Sequence, residues 1–263
     1  MSSSKNLTVE QKDRIYLLTI NNPEKRNVLS EEILISLSNE LKEPELSGKA
    51  GCIIITGTGK KAFSSGYDIS AIGDNDMMRD YSDDHPLQTA LDSIENCPVP
   101  VIAMMNGHAF GAGLELAVTC DIRICADDAK LAMPPSKLGV TYTYSGIRKF
   151  LNLIGTGYTK EMFLTGDTID AYKAERIGLV NHIVNINDLN EFTYDLAYRI
   201  SENAPLSMKT MKMIINLWQE EQRLDTKGES VVRSLIENVQ NSSDYKEGRN
   251  AFREKRKPDF KGK

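Results

Sequence analysis

Two glycine-bearing turns, each directly after a short apolar run, are the segments of this sequence best suited to chemistry. The first is residues 62–69 (AFSSGYDI) after Ile53–Ile55, and the second is residues 106–115 (NGHAFGAGLE) after Val101–Met105. Glycine allows a backbone to approach a ligand closely, and a helix that begins near Gly113 directs free N–H groups and the positive end of its dipole at that ligand. This is how a carbonyl oxygen that gains negative charge, such as that of a thioester, would be held, although each turn taken singly is more often an ordinary strand-to-helix connection.

Glu115 is the acidic residue of an otherwise apolar helix predicted over Gly113–Thr119. A carboxylate is expensive to bury unless it has a partner or a chemical role. Burial also raises the pKa of a carboxyl group and so suits it to proton transfer near neutral pH. We therefore expect Glu115 to be catalytic, with a purely structural glutamate held by a partner as the alternative.

The elements that must position these residues alternate between strand and helix up to about residue 185. Strands are predicted at 7–20 (a hairpin with its turn at 11–13), 51–57, 99–105 and 123–126. Helices are predicted at 30–41 (with Ser30 as the N-cap), 87–96, 113–119, 168–177, 187–203, 204–238 and 244–255, and the chain is mostly helical from residue 151. The acidic segment 73–84 is predicted to be a mobile surface loop. The sequence thus predicts an α/β core over residues 1–185 and a helical C-terminal region over residues 186–263.

Composition and charge exclude several other classes of function. The 263 residues are 40% hydrophobic and 26% charged, with a net charge of −5, which is typical of a globular protein and not of one that binds nucleic acid. No apolar stretch approaches the roughly 18 residues of a membrane span, and the polar start lacks the apolar centre of a secretory signal. The four cysteines and three histidines lack the spacing of a metal site or a disulfide framework. We therefore expect a cytoplasmic enzyme with no membrane partner, no bound metal and buried free thiols.

Taken together and in this order, the two turns resemble those of the crotonase (enoyl-CoA hydratase/isomerase) superfamily, and the resemblance covers nearly the whole chain. Further matching stretches are residues 22–30 (NPEKRNVLS), 164–166 (LTG), 177–180 (IGLV) and 251–257 (AFREKRK). The resemblance implies an α/β fold, a crotonase-like spiral of ββα repeats with a C-terminal helical trimerisation region. It also implies an acyl-CoA substrate and a homotrimer or a dimer of trimers. No separate cofactor is implied, because coenzyme A is part of the substrate.

The resemblance also implies roles for individual residues. Two backbone N–H groups hold the enolate oxygen in this superfamily, and the matching positions are Tyr67 and Ala112. Because these donors belong to the backbone, the identity of the two side chains does not spoil the chemistry. Lys25 or Arg26 is expected to pair with coenzyme A phosphates, with a solvated charged face as the alternative. The residues implied in coenzyme A binding are Lys25, Arg26, Ser65, Gly66, Asp68 and Ile69, joined by Phe252 and Lys255 of a tail that approaches a neighbouring subunit's ligand.

The choice of reaction depends on two further positions. Hydratases of the superfamily handle a water molecule with two glutamates; the first matches Glu115, but the second falls at Pro135, which has no acidic group. The combination of Pro135 with Tyr142 resembles the methylmalonyl-CoA decarboxylase branch, although that branch has histidine where this chain has Tyr67. The resemblance therefore implies decarboxylation, with Tyr142 orienting the leaving carboxylate. Plain pocket lining or core packing is the alternative for Tyr142 and the expected role of Tyr144.

Three alternatives to a decarboxylase stay open from the sequence. One is an enoyl-CoA hydratase or isomerase that works with the single glutamate Glu115. Another is a thioester hydrolase in which Glu115 activates water. The third is an inactive acyl-CoA binder, against which the retained Glu115 and the two intact turns argue.

Overall fold

The computed structural model describes residues 6–43, 49–68, 85–220 and 225–262, which form two sheets and surrounding helices. The strands are β1 (Leu7–Lys12), β2 (Ile15–Ile20), β3 (Cys52–Gly57), β4 (Ala62–Ser64), β5 (Val101–Met105), β6 (His108–Phe110), β7 (Ile122–Ala126), β8 (Lys130–Ala132), β9 (Ile169–Asp170) and β10 (His182–Val184). The helices are α1 (Glu31–Lys42), α2 (Pro86–Glu95), α3 (Ala112–Thr119), α4 (Tyr144–Thr165), α5 (Ala171–Arg176), α6 (Leu189–Ser201), α7 (Pro205–Glu220), α8 (Thr226–Gln240) and α9 (Ser243–Glu254).

Successive strands divide between the two sheets in a repeating manner. The larger sheet has the order β1-β2-β3-β5-β7-β10 and the smaller has the order β4-β6-β8-β9. In three consecutive units (β3–β4–α2, β5–β6–α3 and β7–β8–α4) the first strand joins the larger sheet, the second joins the smaller sheet, and a helix follows. Neighbouring units pair in parallel in both sheets. This is the spiral of ββα repeats that the resemblance implies, so the predicted fold class is confirmed.

The larger sheet forms the centre of the core because both of its faces are covered. All residues of β3 and β5 are buried, which explains why these strands appear in the sequence as continuous apolar runs rather than alternating ones. Helix α6 packs against β3, β5 and β7 and buries Leu189 and Ala197 there. The chain runs from the carboxyl ends of β3 and β5 to the two glycine-bearing turns, so the fully buried centre of the sheet positions them.

Several local predictions are confirmed and others need correction. Ser30 caps α1 by accepting a hydrogen bond from the Ile33 N–H at 3.4 Å. The hairpin β1–β2 is present, but its turn lies at Asp13 and Arg14, and Asp13 adopts a left-handed conformation. The segment predicted as one helical stretch, 204–238, contains two helices, because the Asp225 side chain accepts from the Gly228 N–H at 2.8 Å and starts α8 anew. Helix α4 begins at residue 144, ahead of the predicted helical region.

The sequence pattern did not reveal the strands of the smaller sheet or β10 of the larger one, since each has only two or three residues. A run of that length is too short for alternation to be detected. The predicted helix 168–177 is β9 followed by the shorter α5. The predicted loop 73–84 lies outside the described residues, and the domain boundary near residue 185 stays a prediction.

The prediction of buried free thiols is confirmed. All four cysteines are buried free thiols, and burial raises the pKa of Cys52, Cys120 and Cys125 to about 12. None of the described helices is long and apolar enough to cross a membrane.

Candidate active site

Within the first turn (residues 62–69), Tyr67 forms a parallel bridge with Leu29. The Leu29 N–H donates to the Gly66 carbonyl at 2.8 Å, and the Asp68 N–H donates to the Leu29 carbonyl at 3.1 Å. Because successive residues of an extended chain direct their backbone groups to opposite sides, the N–H and C=O of Tyr67 point away from Leu29. Gly66 has φ of 102°, a conformation that favours glycine.

The second turn (residues 106–113) ends at the start of α3. Gly111 is the N-cap residue, with φ of 51°, and Ala112 is the first residue of the helix. The first N–H groups of a helix have no acceptor within it, and the positive end of the helix dipole lies at the same place. The Ala112 N–H is therefore well placed to bind an anionic oxygen.

The two turns approach each other to backbone contact. A Cβ atom built on Gly66 would lie 2.9 Å from the Phe110 carbonyl oxygen and 3.6 Å from the Ala112 nitrogen. A Cβ atom on Gly113 would lie 2.6 Å from the Ser64 carbonyl oxygen. This proximity is what a pair of donors from the two turns requires, and the oxyanion role of Tyr67 and Ala112 stays a prediction.

Two buried asparagines, which the sequence patterns did not single out, hold the turns in place. The Asn106 side chain accepts from the Gly57 N–H at 3.0 Å and donates to the Gly59 carbonyl at 2.7 Å. The Asn27 amide donates to the Ala62 carbonyl at 2.8 Å. A buried amide with its donors and acceptor satisfied makes a rigid connection. The signal available in the sequence was an asparagine directly after the buried strand β5.

Glu115 lies in the first turn of α3 and is only 3% exposed. Burial raises the pKa of its carboxyl group to about 7, and the positive charge of Lys149 acts in the opposite direction. Within the described residues no second carboxylate contributes to this pKa, whereas two carboxylates sharing one site would raise it further. Glu115 is therefore present in both protonation states near neutral pH.

Tyr142 and Glu115 meet at the N-terminus of α4. Thr143 caps this helix by accepting from the Gly146 N–H at 3.1 Å. A Cβ atom built on Gly146 would lie 2.6 Å from Glu115 Oε1 and 3.2 Å from Tyr142 Cδ1, so the carboxyl group and the phenol ring both adjoin Gly146. The Tyr142 hydroxyl reaches the start of α3, 3.5 Å from the Cβ position of Gly111. The edge-on contact of its ring with Phe163, at 5.6 Å between centroids, fixes the ring.

Gly146→Ala is expected to lower turnover by about 10²-fold, because the new methyl group would lie only 2.6 Å from Glu115 Oε1 and must displace the carboxyl group. A misplacement of about 1 Å has an effect of that size. The melting temperature is expected to fall little, since alanine favours a helix more than glycine does. Steady-state kinetics and thermal unfolding of the variant measure the two effects. Unchanged turnover would show that the position of Glu115 is not critical.

Position 135, where the superfamily's second glutamate would fall, is a buried proline. Pro135 begins a short 3-10 helix, Pro135–Leu138, against which α9 packs. A Cβ atom on Gly139 would lie 2.6 Å from the Asp244 carbonyl oxygen, which shows how closely α9 covers this turn. Among the described residues, the site brings together Glu115 and Tyr142, and position 135 supplies no second carboxylate.

The residues predicted to bind coenzyme A fall into two groups in the chain. Lys25 Nζ lies 3.4 Å from Asp68 Oδ2, the Ser65 hydroxyl donates to the Lys25 carbonyl at 3.1 Å, and the Ser65 N–H donates to the Arg26 carbonyl at 3.0 Å. These residues and Gly66 therefore form one cluster beside the first turn. Ile69 lies outside the described residues. The second group, Phe252 and Lys255, lies at the C-terminal end of α9, where Phe252 is exposed.

Comparison with known proteins places this arrangement in a family. The family model described as enoyl-CoA hydratase/isomerase matches residues 10–263. A methylmalonyl-CoA decarboxylase of Escherichia coli is 32% identical over 256 residues, which are 95% of this chain and 95% of that protein. A crotonyl-CoA hydratase of Syntrophomonas wolfei is 33% identical over 256 residues, 97% of each chain.

A solved structure agrees with both the fold and the family. The structure of methylmalonyl-CoA decarboxylase in complex with 2-nitronate-propionyl-CoA superimposes with a TM-score of 0.94 at 31% identity, over 99% of this chain and 100% of that chain. The similar proteins therefore carry the names of two different activities on coenzyme A thioesters. The chain belongs to the enoyl-CoA hydratase/isomerase family, the crotonase superfamily, and is an acyl-CoA-binding enzyme of that family.

Proposed function

We propose that this enzyme decarboxylates a malonyl-type coenzyme A thioester, with methylmalonyl-CoA as the substrate to test. One observation carries the proposal: the second-glutamate position holds the buried Pro135, while the Tyr142 hydroxyl lies beside Gly111 at the start of α3. The similarity to a methylmalonyl-CoA decarboxylase in sequence and structure supports it.

The reaction needs no base, which suits a site with a single glutamate. The bond between the α carbon and the carboxylate breaks, CO₂ leaves, and the electron pair forms the enolate of the thioester. In this proposal the Tyr67 and Ala112 N–H groups bind the enolate oxygen, a contribution of about 2.7–4 kcal/mol for each such donor. The Tyr142 hydroxyl donates a hydrogen bond to the departing carboxylate and holds the breaking bond perpendicular to the thioester plane. A proton then adds to the α carbon.

Glu115 is the proposed source of that proton. With a pKa of about 7 the carboxyl group is substantially protonated at neutral pH, and a general acid works best when its pKa lies near the working pH. Once it has delivered its proton, Glu115 regains one from solvent, so the overall change is replacement of CO₂ by H⁺.

The coenzyme A moiety is proposed to bind along the first turn. Lys25 and Arg26 offer positive charge to its phosphates, and Ser65, Gly66, Asp68 and Ile69 line the adenine and pantetheine portions. Phe252 and Lys255 are proposed to approach the ligand of a neighbouring subunit.

Assembly into a homotrimer or a dimer of trimers is proposed from the outer faces of the C-terminal helices. Exposed apolar side chains on α7 and α8 are Leu206, Met211, Ile214, Leu217, Trp218 and Leu235. Exposed large apolar side chains in this number are typical of a protein interface. Light scattering is expected to give three or six times the chain mass of 29.4 kDa, and the mass of a single chain would contradict the assembly.

A second candidate is an enoyl-CoA hydratase that works with Glu115 alone, which the similarity to a crotonyl-CoA hydratase favours. Incubation of the pure protein with methylmalonyl-CoA and, separately, with crotonyl-CoA, followed by mass spectrometry, distinguishes the two. Loss of the mass of CO₂ from methylmalonyl-CoA alone supports the decarboxylase. A gain of the mass of water on crotonyl-CoA alone supports the hydratase and overturns the proposal.

Tyr142→Phe is expected to lower decarboxylation by about 10–100-fold, because the hydrogen bond that orients the carboxylate is lost. Tyr144→Phe is the matched control, two residues along the chain, and is expected to change the rate less than about twofold. Turnover of methylmalonyl-CoA by the two variants measures the difference. Equal rates in both would remove the proposed role of Tyr142.

A further inference from the structure

A largely buried ion pair lies on α4 one turn after Gly146, the residue that contacts the Glu115 carboxyl group. Lys149 of α4 is only 9% exposed, and its Nζ atom lies 2.6 Å from Oε2 of Glu95 at the end of α2, whose side chain is 19% exposed. Lys149 follows Gly146 by three residues, and residues at this spacing share one face of a helix. Because Gly146 faces the Glu115 carboxyl group, Lys149 faces it as well.

The other charged groups near Lys149 and Glu115 have partners of their own. Burial raises the pKa of Glu115 in α3 and of the Cys120 thiol just after that helix, and the Lys149 charge acts on both in the opposite direction. Lys212 of α7 pairs with Asp121 at 2.7 Å. Arg123 donates to the Leu179 and Cys120 carbonyls, and Arg148 donates to the Gln219 carbonyl. Within the described residues, Lys149 is the one charged group that directly shifts the pKa of Glu115. Glu95 is the counterion of Lys149.

Stability alone does not account for this pair. Taking two charges out of water costs about as much free energy as their attraction returns, and a buried ion pair can often be replaced by apolar residues without loss of stability. One end of the pair also meets solvent, because Glu95 lines a cavity of about 410 Å³ between α2 and α7. The other end, Lys149, carries the charge that acts on the carboxyl group of the proposed proton donor.

We propose that Lys149 and Glu95 act together as positioning residues that set the protonation state of Glu115. The Lys149 ammonium favours the carboxylate form of Glu115, and Glu95 weakens that effect by compensating the lysine charge. The balance between the two leaves Glu115 able both to hold a proton and to release it near neutral pH. This role rests on the proposed function of Glu115 as proton donor.

Opposite shifts on removing the two partners are the expected signature. Lys149→Met removes the cation and is expected to raise the pKa of Glu115, whereas Glu95→Gln leaves the cation uncompensated and is expected to lower it, each by about one unit. Carbon-13 NMR titration of labelled glutamate carboxyl groups in the substrate-free enzyme measures the pKa, with Glu115→Gln to identify the signal. The titration does not depend on which substrate the enzyme uses, so it is informative even if decarboxylation is not observed.

Two variants separate this role from a structural one. Lys149→Arg keeps the charge and is expected to leave the titration of Glu115 near that of the wild type. Lys173→Met breaks an ion pair of the same length, Lys173–Glu161 at 2.6 Å, that is more exposed, and is expected to leave Glu115 unaffected. Shifts in the same direction for Lys149→Met and Glu95→Gln, or no shift in folded variants, would overturn the proposal. In Lys149→Met and Glu95→Gln, the pH dependence of turnover is expected to shift in the same direction as the pKa of Glu115 measured by NMR.

Discussion

Gly66→Ala is expected to lower turnover by about 10²–10³-fold, the loss that follows removal of one oxyanion donor. The new Cβ atom would lie 2.9 Å from the Phe110 carbonyl oxygen and 3.6 Å from the Ala112 nitrogen, so the two turns must separate to make room for it. The φ of 102° at this position adds strain for any residue other than glycine. Since the Tyr67 N–H follows Gly66 directly, both proposed donors move away from the enolate oxygen. Steady-state kinetics with methylmalonyl-CoA measure the loss in kcat.

Gly155→Ala is the matched control for backbone strain. Gly155 also has a positive φ, of 68°, but a Cβ atom there meets nothing within 4 Å, and the residue lies at the kink of α4. The control is expected to lose stability by about 1–3 kcal/mol from the strained conformation while keeping turnover within about twofold. Equal activity losses in Gly66→Ala and Gly155→Ala would attribute the effect to stability and contradict the role of the first turn.

Glu115→Gln is expected to stabilise the protein by about 3 kcal/mol at about pH 8, and by less than about 1 kcal/mol at about pH 5. Burial raises the pKa of Glu115 from 4.5 to about 7, so the folded protein holds this proton more tightly than the unfolded chain does. The stability that the protonated carboxyl contributes is present below about pH 4.5 and is lost as the pH rises through about 7. Glutamine stays neutral, so the variant avoids this loss. Urea denaturation at the two pH values measures the difference.

Glu161→Gln is the control for the pH effect. Glu161 is an exposed glutamate on α4, and its substitution is expected to change the free energy of unfolding by no more than about 0.5 kcal/mol at either pH. If Glu115→Gln instead destabilised the protein at about pH 8, the carboxylate would be paired and structural, which is the alternative that the sequence left open.

The sequence predicted the large elements of the fold because their signals are local. The apolar runs of β3 and β5 and the Ser30 cap are confirmed, since burial on both faces of a sheet and the capping of a helix each leave a pattern within a few residues. The smaller sheet was not predicted because its short strands are stabilised by pairing with residues distant in the sequence. Asp225 was missed because a helical pattern continues on both sides of it.

The parts of the candidate site that are marked by local sequence patterns could be predicted. The contacts that arise from packing between helices could not. The two turns and Glu115 were identified from glycine spacing and from a carboxylate in an apolar helix. The contact between Glu115 and Gly146 joins residues 31 positions apart through the packing of α3 against α4, which no local pattern encodes. Lys149 and Glu95 were likewise invisible, because a lysine in a helix is ordinarily a solvated residue.

The most direct test of the account is turnover of methylmalonyl-CoA by the wild-type enzyme in deuterium oxide, followed by mass spectrometry of the thioester product. Loss of CO₂ to an enolate predicts propionyl-CoA that carries one deuterium at the α carbon, because the added proton comes from solvent through Glu115 or directly. Recovery of unchanged methylmalonyl-CoA from an enzyme preparation that hydrates crotonyl-CoA would contradict the account and identify a hydratase that works with a single glutamate.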